Sequence, residues 1–159
     1  MKFSVKTQGF YPSDIDYGDS LPTDAETITN EQYVAFFDAL NTSAANFVVV
    51  YNDGGGMKLS PVRPDAYHYW DAAACEWVII DAAQQQKKAD QISAASLKKS
   101  QLLDEATKSI APLQDAVDLD IATDDEKSQL TAWKKYRVLL NRVDTSIAPG
   151  ITWPEKPTL

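Results

Sequence analysis

Residues 81–147 read DAAQQQKKADQISAASLKKSQLLDEATKSIAPLQDAVDLDIATDDEKSQLTAWKKYRVLLNRVDTSI, and this segment contains a single proline, Pro112, and no glycine. Alanine, glutamine, lysine, glutamate and leucine are abundant in it, and these residues favour helix. Pro112 has no backbone N–H and restricts the residue before it, so we expect it to kink or end a helix near Ile110. The segment therefore predicts a first helix over about residues 82–110, with a second helix after it.

A capping box marks the start of the second helix, because the Thr123 side chain can cap the N–H of Glu126 while Glu126 reaches back. Pro149 and Gly150 are expected to stop this helix. Two helices joined by a short link should fold back as an antiparallel hairpin. The seam of the second helix contains Leu130, Trp133, Arg137, Leu140, Asp144 and Ile147, widened by Tyr136 and Val143.

This helical seam has two interpretations. It can pack within the hairpin of one chain, or it can associate with a partner or a second copy, which leaves a homo-oligomer open. Ser96 and Lys99 occupy the corresponding seam of the first helix. Residues 84–99 carry too little apolar surface to pack tightly everywhere, so we expect them to extend as a solvated arm.

The sequence before residue 81 has the opposite character, since it holds every glycine except Gly150 and most of the aromatic residues. Such residues punctuate and fill small β structures. The pattern predicts a strand at residues 3–7, a strand at 47–51 that is buried on both faces, and two hairpins, one pairing 47–51 with 57–59 and the other pairing 67–70 with 76–80.

One short helix is predicted within this first half. Thr29 and Gln32 form a capping box. The positions that follow at helical spacing form one apolar face, made of Tyr33, Phe36, Phe37 and Leu40. The simplest arrangement is a β-sheet with this helix packed on it.

These patterns together predict the α+β class: a small antiparallel β domain with one short packed helix, followed by a long helical hairpin. The predicted boundaries are a β-rich aromatic N-terminal domain at residues 1–80, the helical hairpin at 81–148 and an extended tail at 149–159.

Composition narrows the class of function. The chain has 159 residues, a formal net charge of -8 and short basic runs, so binding to nucleic acid or an anionic membrane is disfavoured. The apolar runs are too short to span a bilayer, and residues 1–6 lack the apolar core of a signal peptide. Cys75 is the only cysteine, which excludes an intramolecular disulfide and fits a reducing compartment. We expect the protein to act first in a cytoplasm.

Residues suited to catalysis or metal binding are few. His68 is the only histidine, and it could meet Cys75 across the predicted hairpin, yet no nucleophile motif surrounds that cysteine. Asp65, His68, Asp71 and Cys75 offer one histidine and one cysteine to a metal, which is fewer than zinc sites usually have. The acidic group Asp14, Asp16 and Asp19 lacks the glycine and closing glutamate of an EF-hand, and residues 54–58 lack the continuation of a phosphate loop. The sequence therefore predicts a binding protein without a cofactor, not an enzyme.

Several segments, in order, resemble the tail fibre assembly proteins of tailed bacteriophages and prophages. They are FSVKTQGFYP at residues 3–12, LPTDA at 21–25, LSPVRP at 59–64 leading to His68, Trp70 and Asp71, PLQDAVDL at 112–119, Ala122, Thr123 and Glu126, then Leu130, Trp133, Tyr136, Arg137 and Leu140, and the tail with Trp153, Pro154 and Pro157. The resemblance covers nearly the whole chain, although residues 81–100 match only as generic helix.

The resemblance implies a chaperone that helps the distal, receptor-binding end of a trimeric tail fibre to fold and trimerise in the host cytoplasm. An alternative is a structural component that stays on the fibre tip and contributes to binding the host receptor. The family brings no cofactor and no catalytic residue.

Aromatic and arginine side chains are the usual anchors of protein interfaces. The predicted partner-binding residues are therefore Tyr11, Tyr67, Tyr69, Trp70, Trp133, Tyr136, Arg137 and Trp153. For each residue the alternative is a role in the core or scaffold, and Trp153 is the least suited to a core because prolines flank it.

Overall fold

A three-stranded antiparallel sheet opens the chain in the computed structural model, which describes residues 1–42 and 47–158. Its strands are β1 (Lys2–Ser4), β2 (Gly9–Tyr11) and β3 (Glu26–Thr27), in the order β2-β1-β3. Strand β1 is shorter than the predicted strand at residues 3–7. It ends at Ser4 because the Ser4 hydroxyl accepts a hydrogen bond from the Thr7 N–H at 3.2 Å and so closes a turn.

Helix α1 (Asn30–Asn41) packs on this sheet, and the predicted capping box at its start is confirmed. Phe36 is buried, with its ring 5.6 Å from that of Phe3. Phe37, predicted on the same apolar face, is 44% exposed. The buried core of this region consists of Phe3, Ile28, Phe36 and Val50.

Two hairpins follow. Strand β4 (Val50–Asn52) pairs with β5 (Met57–Leu59), and β6 (Tyr69–Asp71) pairs with β7 (Glu76–Val78). Both predicted hairpins are confirmed, but the strand predicted at residues 47–51 begins only at Val50. The prediction that this strand is buried on both faces was also wrong. Only Val50 of β4 is buried, while Phe47 is 52% exposed.

Two long helices form the second half: α2 (Asp81–Asp118) and α3 (Asp124–Asn141). The prediction that Pro112 ends or kinks the first helix near Ile110 was wrong about the end, since α2 continues for six residues beyond the proline. Pro112 itself is exposed, whereas Ile110 before it and Leu113 and Val117 after it contact the hairpin core. That packing on both sides offsets a cost of about 3 kcal/mol for an interior proline.

The hairpin core consists of buried residues from both helices, namely Ala106, Ile110, Leu130, Trp133, Tyr136 and Leu140. Helix α3 starts at the predicted capping box of Thr123 and Glu126. It ends at Asn141, however, well before Pro149. A 3-10 turn over Thr145–Ile147 follows, and Ile147 is 57% exposed instead of lying in the seam.

The expected solvated arm at residues 84–99 was wrong for its last part. Ala95 is buried, and the Ser96 hydroxyl lies 3.2 Å from that of Thr145. The Lys99 ammonium donates to the carbonyls of Asn141 at 3.0 Å and Val143 at 2.8 Å. Polar side chains thus replace apolar packing where α2 passes the end of α3.

The predicted α+β class is confirmed. The chain divides into two compact units, Met1–Ala83 and Gln84–Leu159. The predicted division at residues 80 and 148 stays a prediction.

Candidate protein-binding surface

Four aromatic rings from the two hairpins and the loop before β4 form a continuous row in the first unit. The ring centroids of Tyr51 and Trp70 lie 5.0 Å apart, those of Trp70 and Trp77 5.3 Å, and those of Trp77 and Phe47 6.0 Å. Trp70 and Trp77 are directly opposite each other in the β6–β7 register. We call Phe47, Tyr51, Trp70 and Trp77, with Arg63, the aromatic surface.

Arg63 lies against one end of this row. Its guanidinium carbon is 5.5 Å from the Phe47 ring centroid and 6.0 Å from that of Trp77, both within reach of a cation–π interaction. The same guanidinium donates to two backbone carbonyls, with Nε bonded to His68 at 2.6 Å and Nη2 to Ala66 at 2.7 Å. These bonds fix the orientation of the arginine before any partner arrives.

Trp77 is held in a similar way, because its Nε1–H donates to the Pro61 carbonyl at 2.7 Å. Phe47, at the end of the row, remains open to solvent and is 52% exposed. Tyr69 is 45% exposed, but it precedes Trp70 on β6 and so points to the opposite face of the hairpin. Tyr51, Arg63, Trp70 and Trp77 are half-buried. Rigid, half-exposed aromatic and arginine side chains are the typical anchors of a protein interface.

The predicted partner-binding residues of the first unit fall in two places. Trp70 lies within the aromatic surface, Tyr69 is beside it on β6, and Tyr67 is half-buried just before that strand. Tyr11 instead packs its ring 5.3 Å from that of Tyr17, and its hydroxyl is 3.0 Å from that of Thr7. Their role in binding stays a prediction.

The predicted residues of the second unit are less accessible. Trp133 and Tyr136 are each only 3% exposed, with ring centroids 5.8 Å apart, so both occupy the core position that the sequence allowed as an alternative. Burial, helped by the nearby Glu105 carboxylate, raises the pKa of the Tyr136 hydroxyl. Arg137 is half-buried on the same helix.

Trp153 belongs to an extended tail that covers part of the hairpin. The Lys98 ammonium is 4.6 Å from its ring centroid, and Trp153 packs against the hairpin core. Further along, Lys156 forms an ion pair with Glu105 and lies 5.9 Å from the Trp133 ring centroid. A cavity of about 500 Å³ lies beside this contact, lined by Glu105, Ser109, Trp133, Lys156, Pro157 and Thr158.

Sequence reasoning missed four members of the aromatic surface: Phe47, Tyr51, Arg63 and Trp77. Trp77 lay within the predicted second hairpin, but its partner did not follow from the predicted strands 67–70 and 76–80, which would place Glu76 opposite Trp70. The observed pairing of Trp70 with Trp77 arises because β6 extends to Asp71, which pairs with Glu76. Arg63 and Phe47 meet through a loop contact, in which the Arg63 N–H donates to the Phe47 carbonyl at 2.8 Å. The local sequence pattern around these two residues does not predict that contact.

The residues considered for chemistry have separate structural partners. The His68 Nδ1 is hydrogen-bonded to the Asp65 carboxylate at 2.7 Å, while the Cys75 thiol lies 3.6 Å from the Ala72 carbonyl. The Asp71 carboxylate accepts from the N–H groups of Ala73 and Ala74 in the β6–β7 turn. Within the described residues, no group of three or more His, Cys, Asp or Glu side chains is placed to hold a metal ion.

The other two loops that were considered are turns. The Asn52 side chain accepts from the Gly54 N–H at 2.9 Å in the β4–β5 turn, and the Asp16 carboxylate accepts from the Gly18 N–H at 3.0 Å. None of the helices in residues 1–42 and 47–158 combines the length and the apolar character needed to cross a bilayer.

The fold and the site define an α+β protein whose first unit carries a rigid surface of aromatic and arginine side chains and whose second unit is a helical hairpin covered by its own tail. The chain belongs to the tail fibre assembly protein family of the Caudovirales, described as lambda gpK, whose sequence profile matches residues 24–158. The resemblance inferred from the sequence motifs is therefore confirmed.

Curated relatives agree with this family. The chain is 54% identical over 91 residues to Protein TfaD of Escherichia coli K12, covering 57% of this chain and 46% of the relative. It is 52% identical over 93 residues to the tail fiber assembly protein of Escherichia phage lambda, covering 58% and 45%. A probable tail fiber assembly protein of Shigella phage SfV is 35% identical over 155 residues, covering 98% and 76%. The chain thus spans about half the length of the first two, and no solved structure matches it.

Proposed function

We propose that this chain acts in the assembly of a phage tail fibre, as a chaperone that helps the distal end of the fibre to fold and trimerise. Membership of the tail fibre assembly family supports the general role. The observation that carries the proposal is the aromatic surface, because it supplies rigid anchors for a protein partner. The role needs no catalytic step and no cofactor.

The physical need for such a helper follows from the fibre's topology. Trimeric β-rich proteins fold through non-local contacts, which form slowly and leave strand edges and apolar surface exposed. A chaperone that covers this surface until three chains are in register prevents aggregation. It acts where fibres are made, in the cytoplasm of the bacterial host.

The arrangement of the aromatic surface suits transient but specific binding. Arg63 and Trp77 are already fixed by hydrogen bonds to backbone carbonyls, so little side-chain entropy is lost when a partner binds. The exposed ring of Phe47 can then be covered by the fibre, together with Trp70 of the same row. Tyr67 and Tyr69 are further candidate contacts outside this row.

The test is co-expression of the cognate fibre with this chain. The wild-type chain is expected to raise the yield of soluble, trimeric fibre, measured by native gel and size-exclusion chromatography. A Phe47→Ser variant should lower that yield several-fold, whereas Val34→Ser, which removes an equally exposed apolar side chain from α1, should not. Equal yields of native trimer with and without the wild-type chain would refute the proposal.

Two further measurements separate the alternative roles. Finding the chain in purified phage particles would identify a component that stays on the fibre tip, and its absence would confine the chain to assembly. Replacing His68 and Cys75 with alanine is expected to leave the fibre yield unchanged, because neither residue belongs to the aromatic surface. An enzymatic role would instead appear as an activity that the folded double variant loses while the fibre yield is unchanged.

A further inference from the structure

The tip of the helical hairpin exposes two large aliphatic side chains. Leu119 and Ile121 lie in the link between α2 and α3 and are 69% and 71% exposed. They are the most exposed large hydrophobic residues in the part of the chain that the structure describes. The hairpin core is built without them, so hydrophobic packing within the unit does not explain their presence.

The backbone holds these two side chains in fixed positions. Ile121 N–H donates to the Ala116 carbonyl and Asp120 N–H to the Val117 carbonyl, each at 3.0 Å, which is the bonding pattern of a Schellman motif. Asp120 adopts the left-handed φ of 57° that the motif requires. The capping box of Thr123 then starts α3 two residues after Ile121. The tip is therefore a rigid projection, and a partner does not have to order it.

Acidic residues surround the exposed pair. Between Lys108 and Lys127 the sequence has no basic residue and six acidic ones: Asp115, Asp118, Asp120, Asp124, Asp125 and Glu126. The Lys127 ammonium lies 3.9 Å from the Asp124 carboxylate and offsets one of these charges, so the surroundings remain acidic. This concentration of negative charge disfavours contact with a nucleic acid, an anionic membrane or the tip of a second copy. It favours a protein surface where an apolar pocket is rimmed by lysine or arginine.

We propose that the hairpin tip is a second docking surface, which inserts Leu119 and Ile121 into an apolar pocket with a basic rim on the fibre chain. The identity of the partner rests on the proposed function. The tip is separate from the aromatic surface in sequence and belongs to the other unit. The chain then contacts its partner through two surfaces, one aromatic and one aliphatic with acidic surroundings.

The test measures the affinity of the purified chain for the purified cognate fibre by biolayer interferometry. A Leu119→Ser, Ile121→Ser variant should bind about tenfold more weakly or worse, because it removes two side chains that are buried only in the complex. The matched control is Leu97→Ser, which removes a leucine that is 61% exposed on α2 but lies outside the tip. This control should bind within about twofold of the wild type. Equal affinities of the tip variant and the wild type would overturn the proposal.

Salt dependence tests the charge complementarity. Wild-type binding should weaken between about 50 and 300 mM salt, since screening reduces the attraction between the acidic tip and a basic rim. An Asp118→Asn, Asp120→Asn, Asp124→Asn variant should bind more weakly at low salt and lose much of that dependence. Tighter binding by this variant would overturn the proposal, because it would show that the pocket is not basic.

The outcomes separate this inference from the proposed function. If the wild-type chain raises the fibre yield and binds the fibre, but the tip variant does so equally well, only the docking role of the tip is refuted. If the wild-type chain neither binds the fibre nor raises its yield, the proposed function fails, and the partner named for the tip fails with it. If sedimentation shows a dimer that the tip variant converts to a monomer, the occupant is a second copy, which also overturns the proposal.

Discussion

The Gln8 side chain holds Val50 through both ends of its amide. Its Oε1 accepts from the Val50 N–H at 2.7 Å, and its Nε2 donates to the Val50 carbonyl at 2.7 Å and to that of Val5 at 2.6 Å. Val50 is 1% exposed and starts β4. Gln8 therefore supplies the two backbone hydrogen bonds that a neighbouring strand would otherwise make with Val50. It also connects the β1–β2 turn to the first hairpin.

Replacing Gln8 with alanine should destabilise the first unit by about 2–3 kcal/mol, because it leaves buried backbone groups of Val50 without partners. Urea denaturation followed by tryptophan fluorescence would measure the loss, and amide hydrogen exchange should accelerate at Val50. Gln85→Ala changes an exposed glutamine on α2 and should leave both measurements unchanged. Wild-type exchange at Val50 in the Gln8 variant would contradict this role.

Asp24 is expected to make the stability of the first unit depend on acid pH. Burial alone would raise the pKa of its carboxyl, but hydrogen bonds from the Lys6 N–H and the Ser4 hydroxyl outweigh burial and hold the pKa below its ordinary value of 3.8. A carboxyl whose pKa is lowered on folding adds stability above its ordinary pKa. That stability is lost as the pH falls below 3.8 and through the pKa of the folded state.

An Asp24→Asn variant should therefore be less stable than the wild type by about 1 kcal/mol at pH 7, with a difference that shrinks as the pH falls below about 4. Urea denaturation at a series of pH values between about 2.5 and 7 measures this difference. Asp19→Asn, at an exposed position, provides the control. A difference that stays constant across the series would show that the carboxylate charge is not the cause.

Asp120 is expected to limit the stability of the hairpin. Its φ of 57° is in the left-handed region, where glycine has no steric cost, and its carboxylate lies close to the negative end of the α2 dipole. Asp120→Gly should therefore raise the free energy of unfolding by about 0.5–1 kcal/mol, measured by circular dichroism at 222 nm. Asp118→Gly, inside the last turn of α2, should lower it by a similar amount. The same sign for both variants would contradict this explanation.

Elements whose signals are local could be predicted from the sequence. Both capping boxes, at Thr29 and Thr123, were predicted correctly, because a hydroxyl with a partner three residues later precedes a run of residues that favour helix. The second hairpin, which carries Trp70 and Trp77, was also predicted, but its register was not, because the length of the connection was left open. Of the five members of the aromatic surface, Trp70 alone was among the predicted partner-binding residues.

The features that the sequence did not predict depend on tertiary contacts. Pro112 has no backbone N–H and, considered locally, should interrupt a helix. Packing of Ile110 and Leu113 in the hairpin core keeps α2 continuous. Where α3 ends at Asn141, Lys99, more than forty residues away, donates to the carbonyls of Asn141 and Val143. Phe47 and Arg63 likewise meet through a loop that has no periodic pattern. Such contacts can be predicted only once the fold is known.

Lys99 is therefore expected to contribute to the stability of the hairpin. Its ammonium satisfies two carbonyls where α3 ends and places a positive charge at the negative end of that helix dipole. Lys99→Met keeps the aliphatic stem but removes the ammonium, and should lower the free energy of unfolding by about 1–2 kcal/mol. Thermal unfolding followed at 222 nm measures this loss, with Lys88→Met, at an exposed position of the same helix, as the control. Equal midpoints for the two variants would mean that water satisfies these carbonyls as well as Lys99 does.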